Sequence, residues 1–315
     1  MNSSILNSDQ NFEYDGNDSQ RLLNKLSASW GKRAQVRRCN IHDDKHFDLN
    51  KPDFLESLLP FSKLEAYQKL PNKDKNKLLT AGWLVYNTKT IDIEKEIIIP
   101  LCNRIIDEKF SGLKTSEAKR IASETMVDEA YHILLCVSSN EITMFNRNID
   151  ISLDKANVVV NMDSAIENSE LEWQKDIILL ATAFVSETII SDYLALLSRS
   201  SDVQPLHREV VHAHKLDEGV HRYVFVELIK CFLKTASTEQ RRYLFESIPN
   251  AICWFQSSSI DAWLTLLDHS QVPGFSRQNE ELVTCISTHR EPVNGQKVLD
   301  LIPILLPTPL LVYSV

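Results

Sequence analysis

Glycine is the scarcest structural signal in this chain, with 7 in 315 residues against a usual share of about 7%. That scarcity disfavours Gly-rich phosphate loops, tight hairpins and doubly wound sheets. No G-x-G-x-x-G or Walker-type loop occurs. No C-x-x-C pair occurs among the 6 cysteines, and most of them sit in apolar runs such as "IIIPLCNRII", where a free thiol packs as a small hydrophobe. They predict a reducing, cytoplasmic setting. There is no cluster of basic residues, and the net charge is -9, which argues against a nucleic-acid surface. The first residues carry neither a basic head nor an apolar core, so no signal peptide is expected, and residues 1–20 read as a disordered tail. The apolar stretch 301–315, with Pro303, Pro307 and Pro309, is too short and too proline-rich for a membrane helix. It is expected to dock on the protein body or on a partner.

What the chain does have is helical periodicity. Residues 21–32 and 51–70 read as short opening helices. Residues 73–110 read as one or two long ones, with Pro100 set to kink them. Further helices are expected from Thr115 or Ser116, from about Leu171 to Ser198, and from about Pro205 to Lys234. Another opens at the capping-box spacing Ser237 to Gln240. The stretch 146–169 looks least helical and reads as a long connection with room for a short strand. The expected architecture is all-α. Residues 21–300 form a single domain built on a four-helix bundle, with a long crossover between its second and third core helices and additional helices at both ends.

Three acids in this pattern ask for an explanation. "VDEAYH" places Glu129 and His132 three apart on an otherwise apolar helix face, and "HAHKLDEGVH" repeats the unit at Glu218 and His221. One E-x-x-H is a weak signal. Two D-E-x-x-H units on two helices match a carboxylate-bridged metal pair, which takes Glu-x-x-His from each of two helices and a single Glu from each of the other two. Glu187, alone among Leu180, Phe184, Ile190 and Leu194, costs several kcal/mol if buried unpaired, so it is the natural third carboxylate. The fourth is Glu94 or Glu96. The stripe through Ile97, Ile98, Leu101 and Ile105 favours Glu94, although a kink at Pro100 would rotate the phase. His214 stacks on the same face as Glu218 and His221. His207 and His212 lie off that face and are expected at the surface or behind the ligands.

Glu94, "DEAYH", Glu187 and "HKLDEGVH", in that order, resemble the p-aminobenzoate N-oxygenase-like di-iron oxygenases, over roughly residues 90–225. The resemblance implies a ferritin-like fold and selects Glu94. It implies an enzyme that uses O2 and two Fe ions to oxidise an amine nitrogen to hydroxylamine, nitroso or nitro products. Glu129 and Glu218 would bridge the irons. Glu94 and His132 would complete one iron, and Glu187, His214 and His221 the other. Asp128 and Asp217 would accept from the histidine N–H groups. The amine would be an arylamine or an amino acid, free or carrier-tethered. Electrons would come from an external donor, and the chain would form a homodimer without membrane or nucleic-acid partners. The competing readings are a ferritin-like iron-oxidising protein and a metal-free helical interaction protein.

Overall fold

A computed structural model describes residues 16–38 and 47–305. It is all-α, with no β-strand among the described residues beyond one isolated bridge, Ser257 to Arg290. In chain order the helices are α1 (Gly16–Arg33), the single turn α2 (Glu65–Gln68), α3 (Asn72–Ile93), α4 (Ile99–Ile106), α5 (Ser116–Arg147), α6 (Asn157–Glu167), α7 (Glu172–Ser198), α8 (Pro205–Thr235) and α9 (Thr238–Gln256). They are followed by α10 (Ile260–Ser270), α11 (Glu280–Thr288), α12 (Gln296–Leu299) and α13 (Ile302–Leu305). The four-helix core is α3 with its continuation α4, then α5, α7 and α8. The segment α3–α4 packs on α5, α7 packs on α8, and α5–α8 and α4–α7 contacts close the bundle. The crossover from α5 to α7 runs through α6. α1 lies across α5 and α8, and α9 covers α7.

Local chemistry sets these boundaries. The Thr115 hydroxyl accepts from the Ala118 amide to open α5, and Asn148 closes it in the left-handed region at φ 54. The Ser237 and Gln240 side chains each accept from the other's backbone amide at the start of α9. Pro205 occupies the first turn of α8, where its missing N–H costs nothing. α7 is long and apolar enough to cross a membrane, yet 89% of its most apolar window is buried inside the protein, so it is the central core helix.

Three expectations need correction. Residues 51–70 are not a helix: apart from the 3-10 turn Glu56–Leu58 and α2 they run irregularly. Pro60 lacks an amide and would clash with the carbonyl four residues back. The apolar residues that looked like a helical stripe, Phe54, Leu58, Leu59 and Phe61, are instead buried individually. Gly82 of α3 makes room for them, since a Cβ there would lie 2.7 Å from Phe54 Cδ1 and 2.8 Å from Leu59 Cδ2. Second, the stretch 146–169 contains no strand. Val158, Val159 and Met162 form the buried face of α6, a helical spacing that the β-branched run concealed. Third, α1 begins at Gly16, inside the stretch expected as a tail. The remainder of that tail, Cys39 and residues 306–315 lie outside the described residues.

The break at Pro100 takes a specific form. Glu94–Ile98 is a π-helical turn between α3 and α4. One residue is inserted into the ladder just before the proline, and α4 continues directly from the turn. Glu94, at the start of this turn, is 1% exposed, whereas Glu96 points outward and pairs with Lys95 at 2.9 Å.

Candidate metal centre

All seven expected ligands meet inside the bundle. Glu94 comes from the π-turn, Glu129 and His132 from α5, Glu187 from α7, and His214, Glu218 and His221 from α8. Each is no more than 2% exposed. Their donor atoms fall into two groups that share Glu129: Glu94, Glu129, His132 and His214 in one, and Glu129, Glu187, Glu218 and His221 in the other. Glu129 Oε2 lies 3.0 Å from His132 Nδ1, while its Oε1 lies 2.9 Å from His221 Nδ1, so its two oxygens face opposite ends of the site. Glu218 Oε1 likewise sits 3.2 Å from His214 Nε2 and 3.1 Å from His221 Nδ1.

His214 belongs at the other end from the one expected. It faces Glu94 Oε1 at 3.0 Å, and its ring lies 4.1 Å from that of His132. The reason is helical rise. On α8, His214 precedes Glu218 by four residues and His221 follows it by three, so the two histidines lie on opposite sides of Glu218 along the axis. Each end of the site therefore has a D-E-x-x-H histidine and a lone glutamate, and the His132 end has a second histidine.

The two aspartates act across the site. His132 Nε2 donates to Asp217 Oδ2 at 3.1 Å, and His221 Nε2 donates to Asp128 Oδ2 at 3.2 Å. Each D-E-x-x-H unit thus supplies the acceptor for the other unit's histidine. With its proton held on Nε2, a neutral imidazole turns the bare lone pair of Nδ1 toward the glutamates. These are also acceptors, about 3 Å away, so like faces like unless cations stand between them. The carboxylate atoms Glu94 Oε1 and Oε2, Glu129 Oε1, Glu187 Oε2 and Glu218 Oε2, with His214 Nε2, are buried and lack hydrogen-bond partners. Oxygen and imidazole donors in this number suit an iron pair.

Ionisation follows the same crowding when only protons can fill the site. Burial, then the charges of Glu218 and Glu129, push Glu187 well above the usual carboxylate range. Burial pushes Glu94 up too, against the pull of His214. For Glu129 and Glu218 burial is outweighed by the adjacent histidines, chiefly His221, and both end below the usual range. Burial and His214 oppose protonation of His132. Hydrogen bonds to Asp217 and Glu129 outweigh them and lift it to about 9.

Helix α1 supplies a layer that the sequence did not reveal. Trp30 Nε1 donates to both oxygens of Asp128, at 2.9 and 3.0 Å, and the Gln35 amide donates to both oxygens of Asp217, at 3.3 and 3.2 Å. Arg33 stands between the two aspartates. These partners are 98 and 182 residues apart in sequence, with no shared periodicity to link them.

The other histidines divide differently from expectation. His212 is exposed. His207 is neither at the surface nor behind a ligand. It is fully buried, stacked 3.8 Å from Trp83 and held by Thr143 and the Asp53 carbonyl, and burial lowers its pKa to about 4. It is a core histidine.

Comparison with known proteins agrees with this geometry. Residues 16–297 match the family described as p-aminobenzoate N-oxygenase AurF. The chain is 25% identical over 256 residues to the 4-aminobenzoate N-oxygenase of Streptomyces thioluteus, an alignment that covers 80% of this chain and 76% of that protein.

Proposed function

Since this chain belongs to the p-aminobenzoate N-oxygenase AurF family, a family of non-haem di-iron N-oxygenases, we propose that it uses two irons and O2 to oxygenate the nitrogen of an arylamine. The observation that carries this reading is the double donor group around Glu129, in which five buried carboxylate oxygens and His214 Nε2 lack hydrogen-bond partners. Glu94, Glu129, His132 and His214 would hold one iron, and Glu129, Glu187, Glu218 and His221 the other, with Glu129 and Glu218 shared. Iron supplies reductive activation of O2: R–NH2, O2, two electrons and two protons give R–NHOH and H2O. Repetition leads toward nitroso and nitro products. The electrons come from an external donor, since the sequence holds no flavin or nicotinamide fingerprint. Asp128 and Asp217 keep the histidine protons on Nε2, which leaves Nδ1 free to bind metal. The apolar wall of α7 keeps bulk water away from the reacting nitrogen.

A small cavity of about 10 Å³, with room for one water rather than an arylamine, lies among α3, α7 and α10. Its lining includes Val85, Tyr86, Tyr193, Trp263 and Glu291. Tyr86 lies on α3 two turns before Glu94, and its ring is 4.8 Å from that of Tyr193. Burial raises the Tyr86 phenol, and the charge of His214 partly opposes it, which places this ring near the His132 end of the site. Glu291 is paired with the buried Lys89 at 3.0 Å. A separate, open apolar concavity lined by Val36, Ile106, Met126, Val127, Ala130 and Leu134 lies on the outer side of α5. It supports a homodimer, and a Leu134→Glu variant that still sediments as a dimer refutes that assignment.

Metal analysis and turnover test the main reading together. The protein should carry two irons per chain and, with O2 and a reductant, convert 4-aminobenzoate or aniline to N-oxygenated products visible by mass spectrometry. A chain without iron defeats the di-iron reading. Iron that is oxidised and stored, with no amine consumed across a panel of arylamines, favours the ferritin-like alternative.

A further inference from the structure

The six acids at and behind the centre have one arginine or lysine ion-pair partner among the described residues, and that partner is Arg33. Its Nη1 lies 3.9 Å from Asp128 Oδ2 and 4.0 Å from Asp217 Oδ1. Those distances exceed hydrogen-bond range, and Arg33 Nε and Nη1 are buried without a hydrogen-bond partner. Trp30 and the Gln35 amide already provide N–H donors to the two carboxylates. What Arg33 adds is therefore its charge, placed almost equally between two aspartates that lead to opposite ends of the site. One route runs from Arg33 through Asp128 to His221, and the other through Asp217 to His132.

A guanidinium held close to a crowd of carboxylates, with its side chain only 19% exposed, interacts strongly with any change of charge there. Reduction is such a change: the iron pair takes two electrons from an external one-electron donor, passing from two Fe(III) to two Fe(II). A fixed positive charge disfavours the more positive, oxidised pair. We propose that Arg33 is a positioning residue that sets the charge of both His–Asp couples at once and thereby holds the reduction potential of both irons high enough for an external donor to reduce them. This rests on the di-iron reading above. It predicts that α1, remote from the ligands in sequence, governs how readily the enzyme is reduced rather than how it binds the amine.

The test compares R33Q and R33K with the parent protein. Iron per chain is measured first, and the midpoint potential of the iron pair is then followed by mediated titration with dithionite. R33Q keeps a polar side chain without the charge, and R33K keeps the charge without the planar fork. The expected result is a shift to more negative potential in R33Q, with slower reduction by a weak donor, and a potential in R33K close to that of the parent. Loss of iron from R33Q alone, with R33K intact, also supports a requirement for charge. An unchanged potential in R33Q overturns the inference, as do equal shifts in both variants or loss of iron from both, since each of these makes the role one of shape. A parent protein without iron overturns the di-iron reading itself, and its iron content distinguishes that failure from the others.

Discussion

Asp128→Asn separates the crossed arrangement of the site from the simpler one in which each aspartate serves its own motif. In the crossed arrangement Asp128 sits beside Glu129 in sequence but holds His221 of α8. Its carboxylate accepts the Trp30 N–H at 2.9 and 3.0 Å and the His221 N–H at 3.2 Å. Asparagine keeps one acceptor oxygen and puts an NH2 group in place of the other, so one of these donors faces a donor. A hydrogen bond to a charged acceptor contributes about 1.5–3 kcal/mol. At about 1.4 kcal/mol per factor of ten, that weakens the iron bound through His221 by about 10- to 100-fold, the range typical of outer partners of metal-binding histidines. Chelator competition measures it, and a Glu187→Ala background identifies the end affected. In that background the remaining iron lies at the Glu94, His132 and His214 end. Asp128→Asn should then add little, whereas Asp217→Asn should add the full 10- to 100-fold. If Asp128→Asn weakens the remaining iron as much as Asp217→Asn does, the crossed wiring is wrong.

Other consequences are open to direct measurement. Glu94→Ala should lose iron from the His132 end and abolish amine oxidation, while Glu96→Ala, which removes an outward partner of Lys95, should keep most activity; the reverse ranking would mean that the π-turn presents Glu96. His214→Ala should keep most of its iron, because Glu94, Glu129 and His132 remain at that end, yet lose amine oxidation; oxidation at the parent rate would show that His214 only packs there. In the metal-free protein, the stabilisation from protonated His132 is complete below the ordinary value of 6.5 and is lost as pH rises through about 9, with His214 and His221 shifted in the same direction. Thermal scans of the metal-free protein should therefore show Tm falling from pH 6.5 to 9, and iron loading should remove that fall; a rising Tm would contradict it.

The clustering of these acids and histidines was legible because it is tied to short spacings. Glu129 to His132 and Glu218 to His221 are one helical turn each, and Glu187 stands out because nothing nearby in sequence could neutralise it. The end of the site that receives His214 was misread, because shared face was weighed without the rise along α8. Glu94 is the buried one of the pair, as its stripe suggested, but the device that turns it inward, a single inserted residue before Pro100, leaves no mark on hydrophobic periodicity. Residues 51–70 misled because their apolar spacing fits a helix while Pro60, in its interior, breaks one. The contribution of α1 was invisible for a different reason: Trp30, Arg33 and Gln35 act through tertiary contacts that no local pattern encodes.

The exchange of aspartates between the two motifs also bears on how the chain can be made without trapping the wrong ion. Synthesis delivers Glu94, Glu129 and His132 well before residue 217 exists. Until α8 emerges, His132 has no acceptor to fix its tautomer, and neither Glu218 nor His214 is there to finish the group around it. A nascent chain halted after α6 therefore carries Glu94, Glu129 and His132 but none of the donors that α7 and α8 bring to the second group. Competence to bind the pair arrives in one step, when the last core helix docks.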